Sequence, residues 1–135
     1  MGSDLRGNAS ILVVEDNPDL NMAVCEILQS YGFRVSSATN GADALEQIKR
    51  LPPDAVLCDI MMPGMDGYQA IQAIRGMEGF KHLPIIALTA KAMKADRDRC
   101  IEAGASDYIS KPLDVDQLLS LLRVWLYHQE ETPKA

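Results

Sequence analysis

Three short apolar runs constrain this chain more than any other feature: Ile11–Val14, Ala55–Cys58 and Leu83–Leu88. Each is too short for a helix of ordinary length, and none alternates polar with apolar positions. That is the pattern of a strand buried on both faces, the usual state of strands in a parallel sheet. Each run also ends on polar residues: Glu15-Asp16-Asn17-Pro18 after the first, Asp59 and a Pro63-Gly64 turn after the second, Thr89-Ala90 after the third.

The segments between these runs carry helical spacing. Leu20, Ala23, Val24, Ile27, Leu28 and Tyr31 predict a helix opened by Asn17 and Pro18 and stopped by Gly32. Phe33 to Ala38 reads as a second strand and Thr39-Asn40-Gly41 as a turn. Ala42, Leu45 and Ile48 then mark a helix ended by Pro52-Pro53. After Asp66-Gly67, a third helix carries Ala70, Ile71 and Ile74 on one face. A more polar helix spans Ala95 to Ala103 and closes at Gly104. Asp107 to Ser110 reads as a fifth strand ending at Lys111-Pro112. The last helix runs from Leu113 to His128 with Val115, Leu118, Leu119, Leu122, Trp125 and Leu126 inward. Five strands alternating with five helices predict a doubly wound α/β fold around a five-stranded parallel sheet.

The length of 135 residues fits one domain, and 47% hydrophobic with 24% charged residues fits a globular chain. Residues 1–8 read as a disordered or appended N-terminus, 9–128 as the domain and 129–135 as a polar tail. The net charge of −6 argues against direct nucleic-acid binding and against an anionic membrane surface. No apolar run reaches the ~18 residues of a membrane span, and no secretory leader is visible. Cys25, Cys58 and Cys100 form no metal-ligand spacing with His82 or His128. They read as reduced thiols, Cys25 and Cys58 as small core residues, in a cytoplasmic setting.

The chemistry lies at the strand ends. Sheets of this class place ligands beyond the carboxyl ends of the strands, where the strand order reverses. If the strand order is 2-1-3-4-5, which spacing alone does not show, the first and third strands are neighbours and Glu15, Asp16 and Asp59 converge there, flanked by Thr89 and Lys111. Taken alone, Asp59 has two readings: it begins the turn that follows, or it is a carboxylate kept for chemistry. Taken together, three carboxylates against one lysine leave excess negative charge, which suits a hard divalent cation such as Mg²⁺. A nucleophilic Asp59, a metal pocket and the oxygen-binding donors Thr89 and Lys111 suggest phosphoryl transfer. No GxxxxGK[ST] or GxGxxG loop is present to hold a nucleotide.

Val14-Glu15-Asp16-Asn17, the run Asp59 to Gly67, Ala87-Leu88-Thr89-Ala90 and Lys111-Pro112 together resemble the receiver domain of two-component response regulators, over about Ser10 to Leu126. The resemblance implies the flavodoxin-like receiver fold, with Asp59 as phosphoacceptor from a phosphohistidine on a sensor histidine kinase or phosphotransfer protein. It implies Mg²⁺, or Mn²⁺, held by Asp16, Asp59 and the Met61 backbone carbonyl, with Glu15 acting through water. Thr89 and Lys111 would hold the phosphoryl oxygens, and Thr89 with Tyr108 would form the switch. A cis Lys111-Pro112 bond is a further expectation of the family, as is an output surface formed by helix four, strand five and helix five that responds to phosphorylation; a phosphorylation-dependent dimer is a separate expectation. Met61 and Lys91 fall near the path of a hydrolytic water, where the Met61 side chain offers no hydrogen bond and limits self-hydrolysis. Two other readings stand beside this one: a degenerate receiver used as a binding module, and a haloacid-dehalogenase-like phosphatase, in which Met61 occupies the place of the second aspartate. The wording of the turn and the lack of an output domain lean towards the receiver of a hybrid histidine kinase over a free-standing regulator.

Overall fold

The computed structural model describes residues 9–62, 66–90 and 93–131, of which 127–131 are described by backbone only. Residues 1–8, the Pro63-Gly64 turn, Lys91, the His128 side chain and residues 132–135 therefore lie outside the described residues. In chain order the elements are β1 (Ser10–Val14), α1 (Pro18–Ser30), β2 (Arg34–Ala38), α2 (Gly41–Arg50), β3 (Ala55–Asp59), α3 (Gly67–Gly76), β4 (Ile85–Thr89), α4 (Lys94–Ala103), β5 (Asp107–Ser110) and α5 (Val115–Glu131). The strands form one parallel sheet in the order β2-β1-β3-β4-β5.

The apolar runs account for the interior places of β1, β3 and β4 in that order. Every residue of β3 and β4 is buried, and β1 is exposed only in part at its first residue. Side chains alternate across each strand, so the sheet divides its core in two. Val14, Cys58 and Ala87 face Ala44 and Ile48 of α2, Ala70, Ile71 and Ile74 of α3, and Cys100 of α4. Val13, Leu57, Ile86, Leu88 and Ile109 face Val24 and Leu28 of α1 and Leu118, Leu122 and Leu126 of α5. Truncating one of these, such as Ile86, would cost about 2–5 kcal/mol through lost transfer energy and a residual cavity. Edge strand β2 carries Arg34, Ser36 and Ser37 outward, which covers a ladder edge with polar side chains.

The helix starts are fixed by side-chain caps. Asn17 accepts from the Leu20 N–H at 3.0 Å, with Pro18 opening the helix after it. Asn40 accepts from Asp43 N–H at 2.8 Å. Asp66 and Gln69 form a reciprocal capping box at the start of α3. By contrast α4 has no side-chain cap at Met93, and only Cys100 and Ala103 of it are buried. It is the least anchored helix of the five.

Several boundaries and facings differ from the sequence reading. β2 begins at Arg34 rather than Phe33, whose ring packs on the core beyond the strand end. β4 begins at Ile85, because Pro84 has no N–H for a ladder; its carbonyl instead accepts from Val56 N–H at 2.9 Å. Both Asp59 and Thr89 belong to their strands, one residue past the apolar runs. Ala23, Tyr31 and Ala42 are exposed, and Ala44 takes the inward place expected of Ala42. Cys58 and Cys100 are buried whereas Cys25 is half-buried, and all three are free thiols. The last helix begins at Val115 and continues through Glu131, past the bound expected at His128. Among the described residues no helix is long and apolar enough to cross a membrane.

Candidate functional site

Parallel β1 and β3 end side by side, with Val14 paired to Cys58. The residues that follow Val14 therefore meet the last residue of β3. One carboxylate oxygen from each of Glu15, Asp16 and Asp59 lies within 4.8 Å of the others. Glu15 and Asp59 are buried and Asp16 is half-exposed, so the cluster opens to solvent on the Asp16 side. At that separation two ionised carboxylates repel by about 3 kcal/mol at an effective dielectric of ~20.

Lys111 offsets part of this. Its Nζ stands 3.2 Å from Asp59 Oδ2 and 3.6 Å from Glu15 Oε1. The lysine is carried there by the backbone after β5, where its N–H donates to Thr89 O at 2.8 Å, and the Lys111-Pro112 peptide bond is cis. Asp59 Oδ1 accepts from the Met61 N–H at 3.2 Å, so both oxygens of this carboxylate are held. Glu15 Oε2 accepts from the Asn17 N–H at 3.1 Å, whereas Oε1 is buried with no hydrogen-bond partner.

One cation among three carboxylates leaves Glu15 in a poor place for a charge. Its burial pushes the carboxyl up from 4.5 to about 7; the neighbouring Asp59 adds to this, while the Asn17 N–H and Lys111 oppose it. An orphaned buried oxygen and an all-oxygen donor set fit a hard divalent cation that keeps some of its waters. The thiols are elsewhere: burial raises the Cys58 thiol to about 12, which leaves it inert as a metal ligand or nucleophile. His82 is exposed.

Thr89 is buried at the end of β4 and shares a sheet face with Ala87. Since Ala87 pairs with Tyr108, the Thr89 and Tyr108 side chains lie on the same face, one step apart along neighbouring strands. Tyr108 is half-buried; its hydroxyl accepts from Arg97 Nη1 at 3.1 Å, and the guanidinium carbon sits 5.5 Å from the ring centroid. On the other side of β5, Trp125 Nε1 donates to Asp107 Oδ2 at 3.1 Å and ties α5 to the strand. The structure thus brings together Glu15, Asp16, Asp59 and Lys111, with Thr89 at the neighbouring strand end. Met61 contributes its amide to Asp59 while its side chain is largely exposed.

Two contributors escaped the sequence reading. Arg97 belongs to a polar helix, and nothing in spacing announces its reach to Tyr108. Asn21 is buried on the Val24–Leu28 face of α1, so a polar residue interrupting an apolar stripe was the available signal.

Comparison with known proteins agrees on one family. Residues 11–123 match the family model described as response regulator receiver domain. The chain is 41% identical over 126 residues to hybrid signal transduction histidine kinase M of Dictyostelium discoideum, covering 90% of this chain and 5% of that protein. It is 39% identical over 118 residues to the sensor histidine kinase GacS of Pseudomonas protegens, covering 85% of this chain and 13% of that one. The chain therefore spans a small fraction of these curated relatives. Among solved structures, the receiver domain of sensor histidine kinase PA1611 from Pseudomonas aeruginosa, with a magnesium ion coordinated in its active site cleft, superposes with a TM-score of 0.83. The two are 39% identical, and the match covers 89% of this chain and 98% of that one.

Proposed function

Since this chain belongs to the response regulator receiver domains of two-component systems, we propose that Asp59 is its phosphoacceptor, taking a phosphoryl group from a phosphohistidine. The observation that carries this is a buried strand-end carboxylate held beside an acidic pair and within 3.2 Å of a lysine ammonium. A carboxylate oxygen of Asp59 attacks phosphorus, a P–O bond forms and the P–N bond breaks. The imidazole leaves with the electron pair and takes its proton from solvent.

Asp16, Asp59 and the Met61 carbonyl would hold Mg²⁺, or Mn²⁺ in its place, with Glu15 acting through water. When bound, the ion spreads the charge of the transferring phosphoryl oxygens. The chain's own groups do the rest. Lys111 sits where it can follow the added negative charge, and the Met61 N–H orients the Asp59 carboxylate. The Thr89 hydroxyl binds a phosphoryl oxygen, and its shift vacates space on the face it shares with Tyr108. Tyr108 turns into that space and gives up its Arg97 contact, which changes the surface formed by α4, β5 and α5.

The donor is a sensor histidine kinase or histidine phosphotransfer protein, and the switched surface is one on which a phosphorylation-dependent dimer would form. The receiver domain is read as residues 9–128, with α5 itself running on through Glu131, and three free thiols favour a reducing, cytoplasmic setting. Neither the binding-module nor the phosphatase reading gains support, because the acceptor, acidic pair and lysine are assembled and Met61 leaves no second aspartate after Asp59.

The test is intact mass after incubation with a small acyl-phosphate donor and Mg²⁺. One added phosphoryl group is expected, absent in Asp59→Asn and absent with chelator. A chain that gains none, or an Asp59→Asn variant that still gains one, would overturn the assignment.

A further inference from the structure

Asn21 is buried on α1, among apolar neighbours, and every polar atom of its side chain is used. Its Nδ2 donates to Glu15 O at 3.0 Å and to Ala38 O at 3.1 Å. Ala38 O also accepts from Glu15 N–H at 3.0 Å, so this amide closes the last rung between β1 and β2. The Asn21 Oδ1 accepts from Cys25 Sγ at 3.3 Å, which fixes which way round the amide sits.

The Glu15 carbonyl belongs to the peptide joining Glu15 to Asp16. Holding that oxygen fixes the peptide plane, and the plane sets the directions in which both carboxylates leave the backbone. Two carbonyl acceptors need two N–H donors from one short side chain. Serine offers one, aspartate none, and leucine would strip the Glu15 carbonyl of this donor and leave Ala38 O with the Glu15 N–H alone. Asparagine alone among residues of this length meets the demand.

We infer that Asn21 is a positioning residue for the cation pocket: it touches neither cation nor phosphoryl group, but aims Glu15 and Asp16 at a common point through the peptide between them. This rests on the reading of Glu15, Asp16 and Asp59 as the Mg²⁺ site. Partners one step removed from a metal ligand typically change affinity by about 10- to 100-fold when lost.

Mg²⁺ titration by calorimetry of the whole chain, unsubstituted and as Asn21→Ala and Asn21→Ser, tests it. Asn21→Ala is expected to weaken Mg²⁺ binding about tenfold, and Asn21→Ser, which keeps one donor, by less. The rate of phosphorylation by the acyl-phosphate donor at saturating Mg²⁺ is expected to be retained in both. Asp54→Ala is the control, because it removes the carboxylate oxygen that accepts from the Ser10 N–H and hydroxyl at the opposite end of the sheet; it should lower stability and leave Mg²⁺ affinity unchanged. Should Asn21→Ala not fold, Asn21→Ser decides. Unchanged affinity in the Asn21 variants, or an equal loss in Asp54→Ala, overturns the inference alone. An unsubstituted chain that binds no Mg²⁺ overturns the site reading and the inference with it.

Discussion

Raising the pH in the presence of chelator should destabilise this protein over a range in which most globular domains are near their optimum. The group responsible is Glu15, buried with one oxygen that accepts no hydrogen bond and raised from 4.5 to about 7. Below pH 4.5 folded and unfolded chains both hold the proton, so the group contributes nothing. Between 4.5 and 7 the folded chain keeps a proton that the unfolded chain has shed, and stability falls as pH rises. Above 7 the full cost is present. A shift from 4.5 to about 7 at 1.36 kcal/mol per unit gives a loss of about 3 kcal/mol as the upper figure. Urea unfolding followed by far-UV circular dichroism reads this directly. With a slope of ~1–3 kcal/mol per molar urea, the midpoint should drop by about 1–2 M between pH 5 and 8. Saturating Mg²⁺ should recover the loss, more at pH 8 than at pH 6, because the cation favours the ionised carboxylate. Glu15→Gln should flatten the chelator curve. A midpoint that does not fall between pH 5 and 7.5, or that falls equally in Glu15→Gln, would refute the reasoning.

Three further outcomes are expected. Arg75→Met should lower stability by about 3 kcal/mol in the same urea assay, because the guanidinium donates to Gly104 O, Phe80 O, Leu83 O and Ser106 Oγ and no other donor replaces it. Gly67→Ala should cost about 2 kcal/mol or more and slow phosphorylation: a Cβ there would collide with the Asp59 carbonyl oxygen and with Ile60 Cα, forcing the acceptor's own backbone to move. Met61→Asn should shorten the lifetime of phosphorylated Asp59 about fivefold, the worth of one hydrogen bond of ~1 kcal/mol to the attacking water. Its decay is followed by intact mass, and an unchanged lifetime would remove Met61 from any role in hydrolysis.

The fold was legible because burial on both faces leaves a plain mark. β1, β3 and β4 are each built on an uninterrupted apolar run, which marks them as interior strands of a parallel sheet covered by helices on both sides. The strand order itself was an assumption of topology that the structure bears out. Errors fell where local pattern competes with packing. Ala23 and Ala42 have a helical period but lie on the outer side of their helices, because alanine costs little on either face and so carries little positional information. Pro84 sits inside an apolar run that its missing N–H excludes from the ladder.

The site was legible for a different reason. Glu15, Asp16, Asp59, Thr89 and Lys111 are polar residues at the ends of apolar strands, where none is needed to build the sheet, and parallel pairing alone carries their strand ends to one edge. What holds them there was not legible, since backbone carbonyls leave no trace in a sequence. Asn21 answers two such carbonyls and Arg75 answers three more, Gly104 O, Phe80 O and Leu83 O. A buried donor is chosen by the acceptors around it, and those acceptors exist only after the chain has folded. A polar residue on an otherwise apolar helix face therefore marks where to look. Its partners decide whether it only joins two elements, as Arg75 joins α3 to the segments flanking β4 and β5, or also aims a functional pair, as Asn21 does for Glu15 and Asp16.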